Sequence, residues 1–485
     1  MKQLDHSTNI HRYRFFALLV ILALLCQFIP PAVTAQGPGV CENCQDTLLP
    51  DQVVVVRVYY PDLTTGNKIL LSFEPQIQET NYEEGYHIMK VKQADIDRLL
   101  ALNLGLRVER DFTWTEPPVR EAVPPEIDSI PGYSCYRTVE ETFASAQALA
   151  TNHPNLATWT DVGDSWEKSV GQPDGYDMMV LKLTNSAITG NKPKLFVTGG
   201  IHAREYATPE LVTRFGEYLV NNYGIDPDAT WILDHHEVHL MLQTNPDGRK
   251  EAEAGASWRK NTNENYCGVT SSNRGADLNR NFSFQWDCCG GSSDAPCDLS
   301  YHGAAPASEP EIQAVQNYMA SIFPDQRGPN LTDPAPLDAT GVYIDMHSYG
   351  QLVLWPWGFT STVPPNGTGM QTLGRKWAYF NNHTPQQAID LYVTDGASKD
   401  YSYGVFGVPG YTWEVGTAFF QSCSYFTDTL LPANMPALIY AAKVVRTPYM
   451  TPAGPDALSL ALSANDILAG TPVTLTASIN DTRYN

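Results

Sequence analysis

The stretch LFVTGGIHAREYATPE, residues 195–210, contains a predicted strand with His202 and Glu205 just after its end. Its apolar start predicts a buried strand that two glycines end, and the run that begins around Pro209 predicts a helix. Open sheets with helical crossovers carry their active sites at the carboxyl ends of strands. His202 and Glu205 are therefore candidate ligands of one metal ion, although a chain with eleven histidines can contain an HxxE by chance.

The composition is that of an ordinary globular protein with a strongly acidic balance. The chain has 485 residues, of which 43% are hydrophobic and 17% are charged, and its formal net charge is −22. This length is enough for a large core and for more than one domain. A nucleic-acid partner requires a basic surface that displaces counterions, so we expect none. The acidic balance is instead typical of a soluble extracellular or periplasmic protein.

The first 35 residues have the pattern of a secretion signal. Basic residues precede an apolar run at 15–29, and small residues at 33–35 form a cleavage site before Gln36. The apolar run is shorter than the about 20 residues that a membrane span requires, and no later run approaches that length. We therefore expect a secreted mature protein that begins near residue 36 and has no membrane span.

Export makes disulfides the default state of the cysteines. The sequence has nine cysteines, and removal of Cys26 with the signal leaves eight. Cys41 and Cys44 are close enough in sequence to form a local disulfide. The other six allow fifteen pairings, and the sequence does not choose among them.

Residues 36–127 are predicted to form a pro-segment followed by a linker. Strand patterns at 51–60, 84–91 and 105–112, with a helix pattern at 94–104, indicate a small α+β module. Prolines among charged residues exclude a helix or a central strand from 115–127. We expect this linker to be a cleavage site.

Residues 128–450 are predicted to form an α/β domain, with a mixed, partly parallel sheet flanked by helices. Strand patterns alternate with helix patterns such as the one at 138–153, which opens with Thr138 as N-cap and has Glu141 three residues later. Alternating apolar and polar residues indicate a β-rich segment at 451–485. About thirty-five residues cannot close a β-sandwich, so this segment is the start of such a module, an added strand or a loose end.

The third metal ligand is expected at a second strand end, and His347 closes another apolar run. Two imidazoles and one carboxylate hold zinc and leave a position open for water, which is typical of a catalytic site. A second group of histidines, around Glu237, is less suited to a metal. On a strand, His235 and His239 point to the same face as Glu237 and His236 points to the other, so no tight cage forms.

Six motifs follow one another along this region. They are GIHAREYATPE at 200–210, SWRKN at 257–261, ADLNRNF at 276–282, YHG at 301–303, IDMHSYGQLVLWPWG at 344–358 and YTWEVG at 411–416. In this order they resemble the zinc metallocarboxypeptidases of the pancreatic carboxypeptidase A and B type and their secreted bacterial relatives, over residues 133 to about 449. The resemblance implies one zinc ion and a peptide hydrolase that acts on peptide or protein C-termini, and we expect a monomer. The module at 51–111 resembles the family's pro-segment in position and rough size.

The resemblance also implies a role for each polar group that peptide hydrolysis requires. It makes His202, Glu205 and His347 the zinc ligands, Glu414 the general base and Arg259 the group that stabilises the oxyanion. A carboxylate takes the proton of an activated water, and a guanidinium stabilises a negative oxygen in a water-poor site. The substrate's terminal carboxylate would be held by Asn279, Arg280 and Tyr392, with help from Arg204, and Asp277 would orient a ligand histidine.

Counting back from Glu414 puts Lys399 at the floor of the family's specificity pocket. In relatives an apolar residue there goes with apolar C-terminal side chains, and an aspartate goes with Lys or Arg. A lysine reverses the second case, so we expect a preference for C-terminal Glu or Asp. Two alternatives stay open, and each changes the pocket. Lys399 turns to solvent and leaves Leu391, Thr394, Gly358 and Thr412 to shape a neutral pocket, or Asp395 or Asp400 neutralises it.

Two other functions also stay open. A peptidoglycan stem-peptide carboxypeptidase of the same fold would differ mainly in its pocket and in the stereochemistry of its substrate. A non-catalytic secreted peptide-binding module would be expected to lack a metal ligand or the base, and the sequence contains all of them.

Overall fold

The structure is a computed structural model, and it describes residues 41–42, 52–62, 65–66, 69, 73, 76–81, 85–109, 129–464 and 471–480. The predicted secretion signal, the predicted linker at 115–127 and Cys44 lie outside the described residues. The chain divides into two compact units, Met1–Phe112 and Thr113–Asn485. In the described part of the chain, no helix combines the length and the apolar character that crossing a membrane requires.

The first unit contains a five-stranded sheet and a helix. Its elements are β1 Cys41–Glu42, β2 Val54–Tyr59, β3 Ile77–Asn81, β4 Tyr86–Val91, α1 Gln93–Ala101 and β5 Gly105–Val108. The strands lie in the order β1-β5-β2-β4-β3, and only β1 and β5 pair in parallel. Val56 and Val58 of β2 are fully buried, as alternation along a strand requires for a covered face. The predicted strands and helix are present with shorter bounds, and β1 and β3 were not predicted.

The second unit alternates strands and helices along most of its length. Its strands are β6 Ala157–Asp164, β7 Asp177–Leu183, β8 Lys194–Gly199, β9 Glu237–Met241, β10 Val342–His347, β11 Leu352–Trp355, β12 Thr384–Gln387, β13 Gly410–Glu414, β14 Asp456–Leu462 and β15 Leu475–Asn480. Its helices are α2 Val139–Asn152, α3 Trp166–Ser169, α4 Ala207–Asn221, α5 Pro227–His235, α6 Pro246–Glu253, α7 Pro310–Ile322, α8 Gly367–Asn381, α9 Ser398–Phe406, α10 Cys423–Tyr425 and α11 Leu431–Val444.

Eight of these strands form one mixed sheet in the order β12-β11-β13-β10-β8-β9-β7-β6. The central strands β13, β10, β8 and β9 are parallel to one another, whereas β11 and β7 pair with them in the antiparallel sense. The predicted α/β class with a partly parallel sheet is therefore confirmed. The short strands β11 and β12 at one edge were not predicted.

Both faces of the central parallel strands are buried, as such strands require. Along β8, Leu195 and Val197 belong to one apolar cluster and Phe196 to another, because successive side chains of a strand point to opposite faces. Phe215 of α4 lies in the first cluster, and Met319 of α7 lies in the second. Because apolar clusters cover both faces of the central strands, the ends of these strands are where polar side chains of a site can come together.

The predicted N-terminal cap of α2 is present, whereas the strand predicted around Glu237 begins later than expected. Thr138 Oγ1 accepts from the N–H of Glu141 at 3.2 Å, and the Glu141 carboxylate accepts from the N–H of Thr138 at 2.9 Å, so the predicted capping box is confirmed. The prediction that His235 belongs to a strand with His239 is wrong, because α5 ends at His235 and β9 begins at Glu237. Pro227 in the first turn of α5 and the N-cap Asp226 favour this helix.

Three disulfides lie in the second unit. They join Cys135 to Cys423, Cys267 to Cys297 and Cys288 to its neighbour Cys289. At the C-terminal end, β14 and β15 pair with each other in a separate antiparallel sheet. The alternative in which 451–485 adds a strand to the main sheet is therefore wrong for the described residues.

Candidate active site

A glycine and a threonine shape the turn that carries His202 and Glu205. Gly200 has a φ of +71°, and a side chain on it would come within 2.9 Å of Pro209. Its N–H donates to Thr208 Oγ1 at 3.0 Å, and the Thr208 hydroxyl donates to the carbonyl of Glu205 at 3.1 Å. The chain therefore folds back at once from β8 into α4, and the short turn between them holds both polar side chains.

His202, Glu205 and His347 converge at the carboxyl ends of β8 and β10, and all three are buried. Nδ1 of His202 lies 2.8 Å from Oε1 of Glu205 and 3.1 Å from Nδ1 of His347. One ligand atom from each residue lies within 4.8 Å of the others. Two imidazole nitrogens and one carboxylate are a donor set of catalytic zinc sites. The residues present therefore fit this ion.

Glu414 lies at the carboxyl end of β13, beside this group. In the register of the parallel strands, His347 is the partner of Glu414, and Met346 is the partner of Gly199. The strands β8, β10 and β13 therefore end at one level of the sheet. Glu414 is partly exposed, whereas the three metal-type side chains are not. The backbone register thus brings Glu414 next to His347, and its side chain is partly open to solvent.

Two buried aspartates contact the far nitrogens of the two histidines. Nε2 of His202 lies 3.1 Å from Oδ1 of Asp277, and Nε2 of His347 lies 3.0 Å from Oδ2 of Asp345. Burial by itself would raise the pKa of Asp277, but the charge of Arg259, above all, holds that pKa well below its usual range. An ionised Asp277 only accepts hydrogen bonds, so Nε2 of His202 carries the proton, and Nδ1, which faces Glu205 and His347, is the nitrogen that could bind a metal ion.

Asp277 was predicted in this position and Asp345 was not. Asp345 lies two residues before His347 on β10, so both side chains point to the same face of the strand. This alternation is the signal in the sequence that identifies Asp345. Its carboxylate also accepts from the hydroxyls of Thr198 at 2.8 Å and Ser398 at 2.5 Å, which fixes it below His347.

The charges of the group depend on one another. Burial alone would raise the pKa of Glu205, but His202 and His347 hold it below its usual range. Burial alone would lower the pKa of His347, but Asp345 and Glu205 raise it well above its usual range. Glu205 and His347 therefore each favour the charged form of the other.

Arg259 is a buried cation at the side of this group. Its Nε and Nη2 atoms donate to Oδ2 of Asp277 at 3.2 and 2.9 Å. Its carbonyl accepts from the N–H of Ala203 at 3.3 Å, so its backbone is tied to the turn that carries His202. The same aspartate thus holds a ligand histidine and the guanidinium.

The residues predicted to bind the terminal carboxylate lie in two segments that meet. Nη2 of Arg280 lies 3.4 Å from the hydroxyl of Tyr392. The amide of Asn279 has other contacts, because its Nδ2 lies 3.0 Å from Nε2 of His347 and its Oδ1 accepts from the N–H of Ser398 at 2.9 Å. Asn279 therefore supports a ligand histidine, a position that sequence reasoning did not indicate.

Arg204 is held by an aromatic ring. Its guanidinium carbon lies 4.0 Å from the ring centre of Phe419, and Nη1 lies 3.4 Å from Oγ of Ser257. Stacking on a ring face favours one orientation of a guanidinium.

Lys399 is buried, so the alternative in which it turns to solvent is wrong. Its Nζ donates to Thr394 Oγ1 at 3.2 Å and lies 3.7 Å from Oδ2 of Asp400. Asp400 also accepts from the N–H of Gly358 at 3.1 Å. A side chain on Gly358 would come within 2.2 Å of Thr394 Oγ1 and 2.8 Å of Nζ, so the glycine lets these groups pack directly against its backbone. Burial lowers the pKa of Lys399 and raises the pKa of Asp400.

The other predicted pocket residues differ in position. Thr412 is buried on β13, and Leu391 packs against the small apolar cluster of β11. Asp395 is buried, but its Oδ2 accepts from the N–H groups of Cys289 and Gly291 at 3.1 and 2.9 Å. Asp400, rather than Asp395, is therefore the carboxylate beside Lys399.

A helix-flanked mixed sheet with two imidazoles and a carboxylate at the ends of its parallel strands is the architecture of a metallohydrolase. A family model for zinc carboxypeptidases matches residues 143–430. A zinc carboxypeptidase of Saccharothrix mutabilis subsp. capreolus is 32% identical over 376 residues, which cover 76% of this chain and 78% of that protein. The chain therefore belongs to the zinc carboxypeptidase family and is a peptide hydrolase.

Other comparisons agree with this assignment. Carboxypeptidase B of Astacus astacus is 34% identical over 294 residues, which cover 58% of this chain and 87% of that protein. The crystal structure of carboxypeptidase A from Helicoverpa armigera superposes with a TM-score of 0.62 at 19% identity and covers 83% of this chain and 99% of that one. At 19% identity this likeness shows the fold alone. The family model and the sequence relatives confirm the predicted resemblance to the carboxypeptidase A and B type.

Proposed function

We propose that this chain is a secreted zinc metallocarboxypeptidase that hydrolyses the last peptide bond of peptides and proteins. The observation that carries the proposal is the convergence of His202, Glu205 and His347 at one sheet edge, with Arg259 and Glu414 beside them. When bound by these three residues, Zn²⁺ would supply a Lewis acid and lower the pKa of a bound water to about 7.

Glu414 is the proposed general base. The position of Glu414 at the end of β13, in register with His347, supports this role. Peptide hydrolysis requires removal of a proton from the attacking water and delivery of a proton to the leaving amine. One carboxylate performs both transfers, because it is protonated by the first and deprotonated by the second.

Arg259 is the proposed stabiliser of the oxyanion. Two of its nitrogens are fixed by Asp277, so the orientation of the guanidinium is set before the substrate binds. A cation that does not reorient during the reaction stabilises developing negative charge without a reorganisation cost.

Arg280 and Tyr392 are the proposed anchor of the substrate's terminal carboxylate, with Asn279 and Arg204 in support. The guanidinium of Arg280 lies against the phenol of Tyr392, and a planar guanidinium matches a carboxylate with two parallel hydrogen bonds. Such an anchor selects chain ends over internal peptides. The contacts of Asn279 with His347 support an additional role for that amide in orienting the metal ligand.

Lys399 is the proposed determinant of specificity, in favour of C-terminal Glu or Asp. Its buried ammonium packs against the backbone of Gly358, where a side chain would exclude it. The carboxylate of Asp400 lies 3.7 Å away and offsets part of its charge. An acidic substrate side chain would share the ammonium with Asp400 and gain from charge complementarity across a desolvated pocket.

Export and activation complete the proposal. The basic and apolar pattern at the N-terminus and the three disulfides support secretion. Residues 36 to about 127 are proposed to inhibit the enzyme until the Pro-rich linker at 115–127 is cut. Equal rates of the intact chain and of the linker-cleaved chain on a small substrate would refute inhibition.

The activity is tested with matched peptides that differ only at the C-terminus. Mass spectrometry should detect loss of a single residue from the free acid and no loss from the C-terminal amide, because the anchor requires a carboxylate. Cleavage confined to cell-wall stem peptides would instead identify the peptidoglycan-trimming enzyme. Absence of hydrolysis from all of them, with binding of the free acid retained, would identify a binding module.

A further inference from the structure

Arg280 of the proposed carboxylate anchor contacts a loop that has no part in the proposed metal site or in the proposed chemistry. This anchor loop, residues 288–291, contains the disulfide between the adjacent residues Cys288 and Cys289. Nε of Arg280 donates to the carbonyl of Gly291 at 2.9 Å, and Nη1 donates to the carbonyl of Asn279 at 2.9 Å. Two backbone carbonyls therefore aim the guanidinium, and one of them belongs to the anchor loop.

Asp395 fixes the anchor loop from the other side. This aspartate is 1% exposed, and its Oδ2 accepts from the N–H groups of Cys289 and Gly291 at 3.1 and 2.9 Å. A side chain on Gly291 would come within 2.6 Å of the backbone of Thr394. The anchor loop thus lies directly on the segment that lines the specificity pocket.

The disulfide has no evident global role. A cross-link stabilises a fold mainly by restricting the unfolded chain, and the effect grows with the length of the closed loop. Cys135 and Cys423 are 288 residues apart in sequence, whereas Cys288 and Cys289 are adjacent. Both adjacent cysteines are exposed, so they do not contribute to a core. The remaining effect is local, because a ring through two neighbouring residues restricts their backbone and with it the position of Gly291.

We propose that the Cys288–Cys289 disulfide and Asp395 are positioning residues for the carboxylate anchor. They hold the carbonyl of Gly291 where it aims Arg280 at the terminal carboxylate of the substrate. The proposal rests on the proposed function of Arg280. It predicts an effect on substrate binding, because the contacts of the disulfide and of Asp395 among the described residues lie within the anchor loop and not with His202, Glu205 or His347.

The test compares the double variant C288S/C289S with C267S/C297S, which removes another disulfide of the same unit. Substrates are N-acylated dipeptides ending in glutamate or phenylalanine, and zinc content and thermal midpoint are measured for every variant. C288S/C289S should raise KM about tenfold with kcat changed less than about threefold, because a misaimed guanidinium loses its paired hydrogen bonds to the carboxylate. C267S/C297S should leave KM within about twofold, since that disulfide does not contact Arg280.

Asp395 is tested by D395A and D395N. Asparagine keeps an oxygen that accepts both N–H groups, so D395N should retain a KM near that of the wild type, whereas D395A should behave like C288S/C289S. An unaltered KM in C288S/C289S, or in a folded D395A, overturns the proposal. If D395A does not fold, C288S/C289S alone decides.

A parallel R280K variant separates this inference from the proposed function. A wild type that hydrolyses no free-acid substrate overturns the proposed function itself. An unaltered KM in R280K overturns the role of Arg280 and this inference with it. A raised KM in R280K together with an unaltered KM in C288S/C289S overturns only the present inference.

Discussion

Nε2 of His202 lies 3.1 Å from Oδ1 of Asp277, and the same aspartate binds the guanidinium of Arg259 through its other oxygen. One buried carboxylate thus sets the tautomer of a metal ligand and the orientation of the proposed oxyanion group. The D277N variant should bind zinc about 10–100-fold more weakly, because an amide no longer enforces the Nε2–H tautomer. Competition with a chelator of known affinity measures this loss.

The matched control is E237Q, since Oε2 of Glu237 lies 3.3 Å from Nε2 of His239 and neither residue belongs to the group of three. E237Q should keep the zinc affinity of the wild type. An equal affinity in D277N and the wild type would show that Asp277 does not orient His202.

Glu414 provides a prediction that separates chemistry from metal binding. E414Q should retain zinc and fall in turnover by about two to four orders of magnitude, because a positioned general base contributes that much. E237Q, at the amino end of β9, is the control and should turn over normally. Near-normal turnover in E414Q would assign the base to another group.

Lys399 and Asp400 give a prediction about specificity. The wild type should hydrolyse peptides ending in Glu faster than those ending in Phe or Arg. K399A should lower the ratio of the Glu rate to the Phe rate by about tenfold or more, so that Phe becomes the better substrate. D400N keeps an acceptor for the N–H of Gly358 and removes the competing charge, so it should increase the preference for Glu. The rate ratios decide. Preference of the wild type for Phe or Arg, or unchanged ratios in K399A, would exclude selection by Lys399.

The pH dependence of stability should reflect two buried acids. Burial, with the nearby Asp247 and Glu309, raises the pKa of Glu311 to about 8, and burial raises the pKa of Asp247 to about 7. The folded state therefore keeps protons that the unfolded state loses above its ordinary carboxyl pKa. Each such group weakens the fold by up to about 1.4 kcal/mol per pH unit between the two pKa values, so the contribution of these two acids to stability falls as the pH rises from 5 to 8.

The E311Q variant should show a shallower fall of the thermal midpoint over this window, because glutamine does not ionise. Measurements on the metal-loaded protein keep the contribution of the metal site the same in both chains. D338N changes an exposed acid and should follow the wild type. A midpoint of E311Q that falls as steeply as that of the wild type would contradict the raised pKa of Glu311.

The sequence predicted the parts of the fold that local patterns encode. Buried parallel strands are continuous apolar runs, so β8 and β10 and the residues at their ends were recognisable. The predicted strand is present as β9, but its extension to His235 is wrong because the Asp-Pro pair at 226–227 begins a helix that ends there. Edge strands such as β11 are four residues long and gave no periodic signal.

The site was predictable in its residue types and not in its contacts. The register that pairs His347 with Glu414 joins segments far apart in sequence, and no local pattern specifies it. The contact of Asn279 with His347 and the pairing of adjacent cysteines depend on loop geometry in the same way. The contact of Asp345 with His347 could have been predicted, because alternation along β10 places both side chains on the same face.

We propose that His202, Glu205 and His347 hold the zinc ion that peptide hydrolysis requires. The most direct measurement is the zinc content and peptidase activity of purified H347A, with H235A as a matched control that changes an exposed histidine at the end of α5. The wild type and H235A should each contain one zinc and lose activity with a chelator, and H347A should contain little zinc and be inactive. One zinc per molecule in H347A, or full activity of the chelated wild type, would contradict the account.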